Sequence, residues 1–174
     1  MQQFNPDIHH RRSIRLQTYD YSQEGLYFVT ICCNDRECFF GEIINDEMML
    51  NPAGEMIKTE WFALEQRFLT IQTTEHELMI MPNHLHCIIE IIETENNTKK
   101  ELLGNVIGAF KSLTTNKYIQ GVKTSNWKAF NGKLWQRDYY EHIIRDGESY
   151  NNITNYIANN PIKWNEDEYN LAKM

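Results

Sequence analysis

Two short spacings in this chain place side chains that bind cations and attack electrophiles. The first is His84-Leu85-His86. In a strand, residues i and i+2 face the same way and sit about 6.6 Å apart. Two imidazoles so placed can converge on one divalent ion. Leu85, Cys87, Ile89 and Ile91 then fall on the opposite, apolar face. Taken alone, such a pair also fits two structural or incidental histidines on a strand.

The second spacing is Tyr156 and Asn160, which share a face on a helix at i and i+4. Ile153 and Ile157 lie on a flank and can anchor that helix, so the tyrosine could equally be a core or surface residue. The two spacings together define one chemistry. A cation held by two histidines polarises a phosphodiester oxygen and stabilises the added charge of a five-coordinate phosphorus. A tyrosine hydroxyl delivered in line attacks that phosphorus. Asn160 offers a carbonyl oxygen as a third ligand, and such nitrogen and oxygen donors suit Mg²⁺ or Mn²⁺ once substrate oxygens join.

The elements that position these groups follow from the pattern of residue types. Leu26 to Cys32 is β-branched and aromatic and reads as a strand. Cys38 to Ile44 reads as another, joined through Asn45-Asp46 to Glu47–Leu50 as a hairpin. Asn51 caps a helix opening with Pro52, whose apolar stripe is Ile57, Trp61, Leu64 and Phe68. His76 to Met81 and His84 to Ile92 read as strands separated by a turn or bulge at Pro82-Asn83, because proline cannot donate to a ladder. Glu93 to Lys100 is a polar loop, Leu102 to Ile119 a helix, and Gly121 to Gly132 a loop. Leu134 to Tyr140 leads a short ordered element, and Glu148 to Asn160 is a helix ended by Pro161. Hairpins mixed with helices predict an α+β fold on an antiparallel sheet. Residues 1–24 read as a basic arm and 25–174 as a single domain.

Length and composition set the class. A chain of 174 residues with 41% hydrophobic and 24% charged residues suits one soluble globular domain. No apolar run approaches the roughly 20 residues of a membrane span. The arginine-containing N-terminus has no apolar segment of the secretory kind, so a membrane role is not expected. Cys32, Cys33, Cys38 and Cys87 form no CxxC pair and read as reduced thiols of a cytoplasmic protein. The net charge of −7 opposes a nucleic-acid partner, but its distribution does not. From Lys99 to Lys133 there are seven lysines and one acid, Glu101, so that stretch is +6 and the remainder −13. Arg11, Arg12 and Arg15 form a second basic cluster. Two basic segments on an acidic body are compatible with a DNA groove, and equally with solvated surface.

Met81-Pro82-Asn83-His84-Leu85-His86 resembles the HUH motif (His, hydrophobic residue, His) of single-strand endonucleases. The segment from Leu134 to Asp146 (LWQRDYYEHIIRD), followed by Tyr156 to Lys163 (YIANNPIK), is similar to the tail of the REP-associated tyrosine transposases, relatives of the IS200/IS605 single-tyrosine enzymes. Arg11 to Leu16, Tyr19-Asp20-Tyr21 and Asn51 to Gly54 also read like that family, so the resemblance spans nearly the whole chain. It implies a ferredoxin-like α+β sandwich with a central antiparallel sheet, helices on one face, and both histidines on a central strand. It implies cleavage of single-stranded DNA beside a hairpin through a 5′-phosphotyrosine, leaving a 3′-hydroxyl, without a nucleotide cofactor. The nucleophile falls on Tyr156, and the ligands on His84, His86 and Asn160, where typical IS200 members carry a glutamine. The family acts as homodimers with a swapped tyrosine helix or, in the REP-associated branch, as monomers.

Further residues carry weaker expectations. Lys111 and Arg137 are the leading contacts to the DNA backbone beside Arg11, Arg12 and Arg15. Tyr139 and Tyr140 read as core or base-stacking residues. His142 reads as structural, and Glu90, on the His84 and His86 face, as a group that orients a ligand. Two other functions fit parts of the pattern. A zinc hydrolase needs further clustered His or Asp ligands, and a non-cutting hairpin-binding module descended from a transposase needs no nucleophile.

Overall fold

Alternation along two strands decides the architecture. The computed structural model describes residues 23–93 and 101–170. β1 (Gly25–Cys32) points Tyr27, Val29 and Ile31 to one side, and β6 (His84–Ile91) points Leu85, Cys87 and Ile89 to the same side. The two pair antiparallel along their full length, with Gly25 opposite Ile91 and Cys32 opposite His84. β7 (Tyr140–Ile144) flanks β1, and both β4 (Ile71–Gln72) and β5 (Leu78–Ile80) flank β6, every pairing antiparallel. A separate hairpin of β2 (Gly41–Ile44) and β3 (Glu47–Leu50) follows β1 in sequence.

Two helices cover the apolar face. α1 (Pro52–Phe62) contributes Ile57 and Trp61, and α3 (Leu103–Ser125) contributes Val106, Ile107 and Phe110. Asn51 caps α1 by accepting from the backbone N–H groups of Ala53 and Gly54, and Pro52 opens it. A one-turn helix α2 (Leu64–Arg67) continues α1 before β4. This arrangement is the expected α+β sandwich on a central antiparallel sheet, with β6 and β1 in the middle. Placing every helix on one face holds for α1 and α3 only. The last helix, α4 (Gly147–Ala158), lies over the other face, where Ile157 joins Phe28, Ile88 and Ile144 in a second apolar cluster. An amphipathic stripe goes where unpaired apolar surface remains, and these residues leave an apolar patch beside the histidines.

Several boundaries differ from the sequence pattern: the strand expected over His76–Met81 is a 3-10 turn at Glu75–Glu77 followed by β5, and three others bear on packing. α3 runs six residues beyond Ile119, through Gly121, and ends only at the left-handed Asn126. Gly121 is there for contact rather than for a bend: a Cβ would lie 2.2 Å from the Trp127 ring. β2 begins at Gly41 because the N–H groups of Phe39 and Phe40 both donate to the Pro82 carbonyl instead. In the Leu134–Tyr140 segment, only a bridge from Cys33 to Trp135 precedes β7. Among the described residues, no helix is long and apolar enough to cross a membrane. Arg11, Arg12 and Arg15, and the arm as far as residue 22, lie outside the described residues.

Candidate active site

The face of β6 turned towards α4 begins with His84 and His86, both fully buried. Their Nε2 atoms are 3.0 Å apart. Two ligand nitrogens each about 2.1 Å from one ion, at a right angle, lie about 3 Å from each other. The rings are held from behind. His86 Nδ1 is 2.8 Å from the Thr30 hydroxyl on β1. His84 Nδ1 is 2.8 Å from Asn83 Oδ1. The Asn83 Nδ2 donates to the carbonyls of Arg36 and Tyr169, which leaves Oδ1 as the acceptor. His84 therefore carries its proton on Nδ1 and presents a lone pair on Nε2.

Burial keeps both imidazoles neutral. Desolvation pushes the His84 pKa well below its ordinary value, helped by the neighbouring His86 and Arg36. Burial alone takes His86 down to about 3. Neutral imidazoles are the form that binds metals.

α4 delivers the tyrosine. Its first turn is capped by Asp146, whose carboxylate accepts from the Ser149 N–H at 2.7 Å. Ile153 and Ile157 bury against the sheet, and the Tyr150 hydroxyl donates to Glu77 at 2.7 Å. So fixed, the helix puts the Tyr156 hydroxyl 3.2 Å from His86 Nε2, with the rings 5.0 Å apart. Tyr156 as a residue is 44% exposed. Burial raises its pKa, as do the charges of Asp167, Glu168 and Cys32, while a hydrogen bond from Asn160 pulls it back.

Asn160, one turn further, is buried, and its Oδ1 has no hydrogen-bond partner among the described residues. An orphaned buried carbonyl costs free energy unless something occupies it. The segment after α4 then folds back over the histidines. It places an Asp167 carboxylate oxygen 3.8 Å from His84 Nε2, with the side chain 6% exposed. Ligand atoms of His84, His86 and Asp167 all lie within 4.8 Å of one another. Two facing imidazole nitrogens, a buried carboxylate and an orphaned carbonyl in one region make a donor set that fits a divalent cation.

The sequence pattern marked His84, His86, Tyr156 and Asn160, and the structure brings them together. It did not mark Asp167, which sits in a polar tail without a telling spacing, nor Thr30 and Asn83 as supports. Asn83 had one visible signal, a polar residue directly ahead of a strand that turns out buried. Glu90 is not near the histidines: it stands opposite Leu26 and Gln72 at the far end of β6, about 13 Å along the strand from His86. Lys111 is turned inward. Its ammonium donates to the carbonyls of Gln136, Arg137 and Asp138 and sits over the Tyr139 ring, tying that segment to α3. Arg137 itself is exposed.

Comparison with known proteins identifies the family. A relative in Haemophilus influenzae, described only as uncharacterised, is 42% identical over 95% of this chain and 96% of its own length. A second from the same strain, whose name provisionally assigns it to the REP-associated tyrosine transposases, is 27% identical over 83% of this chain and 74% of its own. A solved REP-associated tyrosine transposase bound to a REP hairpin shares the fold with a TM-score of 0.60 at 19% identity, covering 87% of this chain and 74% of that one. The family model for IS200-like transposases matches residues 26–160, which include both histidines, Tyr156 and Asn160, and the chain belongs to that family.

Proposed function

We propose that this protein cuts and rejoins single-stranded DNA beside a hairpin, as a transposase of the REP-associated branch, with Tyr156 as nucleophile. The observation that carries this reading is Tyr156, 44% exposed as a residue, with its hydroxyl 3.2 Å from the imidazole nitrogen that faces His84.

His84 and His86, with oxygens of Asn160 and Asp167, would hold a divalent cation, Mg²⁺ or Mn²⁺ given the oxygen donors. When bound, such a cation supplies positive charge for the oxygens of the attacked phosphate. The chain's own residues do the rest. α4 orients the phenol towards the cation-binding nitrogens, and the Asn160 amide favours its ionised form. The phenol loses its proton to solvent, and its oxygen bonds to phosphorus. The bond from phosphorus to the 3′-oxygen breaks, and that oxygen leaves as a 3′-hydroxyl after taking a proton from solvent. The 5′-phosphate stays on Tyr156 until a 3′-hydroxyl attacks and releases the phenol. Tyr156 reaches the histidines of its own chain, which supports action as a monomer rather than as a homodimer with exchanged helices.

The test is covalent capture. Labelled single-stranded hairpin oligonucleotides, including those flanking the gene, are incubated with protein and Mg²⁺ or Mn²⁺ and run on a denaturing gel. A shifted band lost with chelator and in Tyr156→Phe is the expected result. An adduct surviving Tyr156→Phe would move the nucleophile to Tyr169, whose ring is 4.6 Å from that of His84. Binding without any adduct would favour a non-cutting hairpin-binding module.

A further inference from the structure

Beside Tyr156 an open cleft of about 540 Å³ separates β7 from α4, and the chemistry above does not use it. Phe28 floors it, nearly buried. Tyr140 and Tyr156 both stand over that floor, their ring centroids 6.2 and 6.0 Å from Phe28 and inclined to it by 69° and 86°. Both phenols are close to half exposed, Tyr140 at 49%. Two exposed rings rising from one aromatic floor offer flat apolar faces to solvent, at a cost that a stacked planar ligand removes.

The rim says which planar ligand fits. Asp146 and Glu148 line it, along with His142 and Ser149, and among the described residues no lysine or arginine does. A phosphate there would meet two carboxylates and, among the described residues, no permanent cation. An uncharged base meets aromatic faces, which every base can use, and acceptor oxygens, which an exocyclic amino group can use. Tyr156 lines the cleft, so a strand attacked there would pass a neighbouring base beside it.

We infer that the cleft between β7 and α4 binds the unpaired base next to the scissile phosphate, stacked on Tyr140, with a preference for a base carrying an exocyclic amino group. This rests on the cleavage reading of Tyr156. Tyr140 would be a base-binding residue that positions the phosphate rather than part of the bond-making machinery.

The test places 2-aminopurine at each nucleotide flanking the cleavage position and measures its fluorescence on binding to the full chain. A Tyr156→Phe background prevents turnover. Fluorescence at one flanking position should be quenched by stacking. Tyr140→Ala should abolish that quenching and weaken hairpin binding about five- to a hundredfold, while Tyr140→Phe should restore both. Thymine at that position should bind less tightly than adenine. Quenching indifferent to Tyr140→Ala, or an abasic nucleotide that binds as tightly as adenine, would overturn the inference. The two readings fail separately. A wild-type adduct without Tyr140-dependent quenching removes the cleft assignment alone. Tyr140-dependent quenching without any wild-type adduct removes the cleavage reading and leaves the cleft as a base-binding site of a non-cutting protein.

Discussion

Asn83 holds His84 in one tautomer: its Oδ1 lies 2.8 Å from His84 Nδ1, while its amide nitrogen is committed to the carbonyls of Arg36 and Tyr169. The residue ahead of the first histidine is thus both the ring's orienting partner and a tie to the segment carrying Asp167. Partners behind a ligating histidine typically change metal affinity 10–100-fold when removed. Asn83→Ala should weaken Mn²⁺ binding by about that factor in titration calorimetry, with the fold judged intact by circular dichroism. Unchanged affinity would show that the ring needs no such support.

Asn160 and Asp167 offer two different oxygens. The carboxylate carries charge and the amide does not, so Asp167→Asn should weaken Mn²⁺ binding more than Asn160→Ala. Electron paramagnetic resonance of bound Mn²⁺ against free ion reads the difference without any cleavage. The reverse ranking would give the third position to Asn160 and leave Asp167 as a neighbour only.

Tyr150 anchors α4 through Glu77, and that contact has a pH signature. Its phenol is pushed up to about 12, mainly by the hydrogen bond to the carboxylate and then by burial. The native state therefore keeps the proton where the unfolded chain, titrating near 10, has lost it. The contribution is whole below pH 10 and disappears as pH rises through 12. Tyr150→Phe should lower the melting temperature at pH 8 by about 2–4 °C, the loss of roughly one hydrogen bond. The gap between wild type and variant should close between pH 10 and 12. A gap that stays constant there would mean the Glu77 contact is not what stabilises the helix.

The basic residues should separate by role. Lys111 spends its donors on three backbone carbonyls, so Lys111→Met should reduce stability and leave the salt dependence of hairpin binding alone. Arg137 is exposed, and if it meets a phosphate, Arg137→Ala should reduce the slope of log affinity against log salt by about 1. Filter binding at several salt concentrations measures both. A slope change in Lys111→Met would return that lysine to the DNA contacts.

Much of this was legible one dimension at a time. The period-two alternation of β1 and β6 placed both histidines on one face, and the i, i+4 spacing placed Tyr156 beside Asn160. Each is a local property of a strand or a helix. Capping at Asn51 was legible for the same reason. Gly121 misled, because glycine reads as a helix end when considered alone, and only the Trp127 ring packed on it explains a glycine within α3.

What the sequence by itself determined was which side chains share a face on each element: His84 with His86, and Tyr156 with Asn160. Tertiary structure decided how those faces meet. α4 crosses the histidine face because Ile157 finds Phe28, Ile88 and Ile144 there, and that packing sets the 3.2 Å between Tyr156 and His86. It also turned Lys111 inward and Glu90 away, and it brought Asp167, some eighty residues from the histidines, against His84. Residue spacing encodes only neighbours along a strand or a turn. Contacts between elements depend on which apolar surfaces remain to be buried once each element has formed.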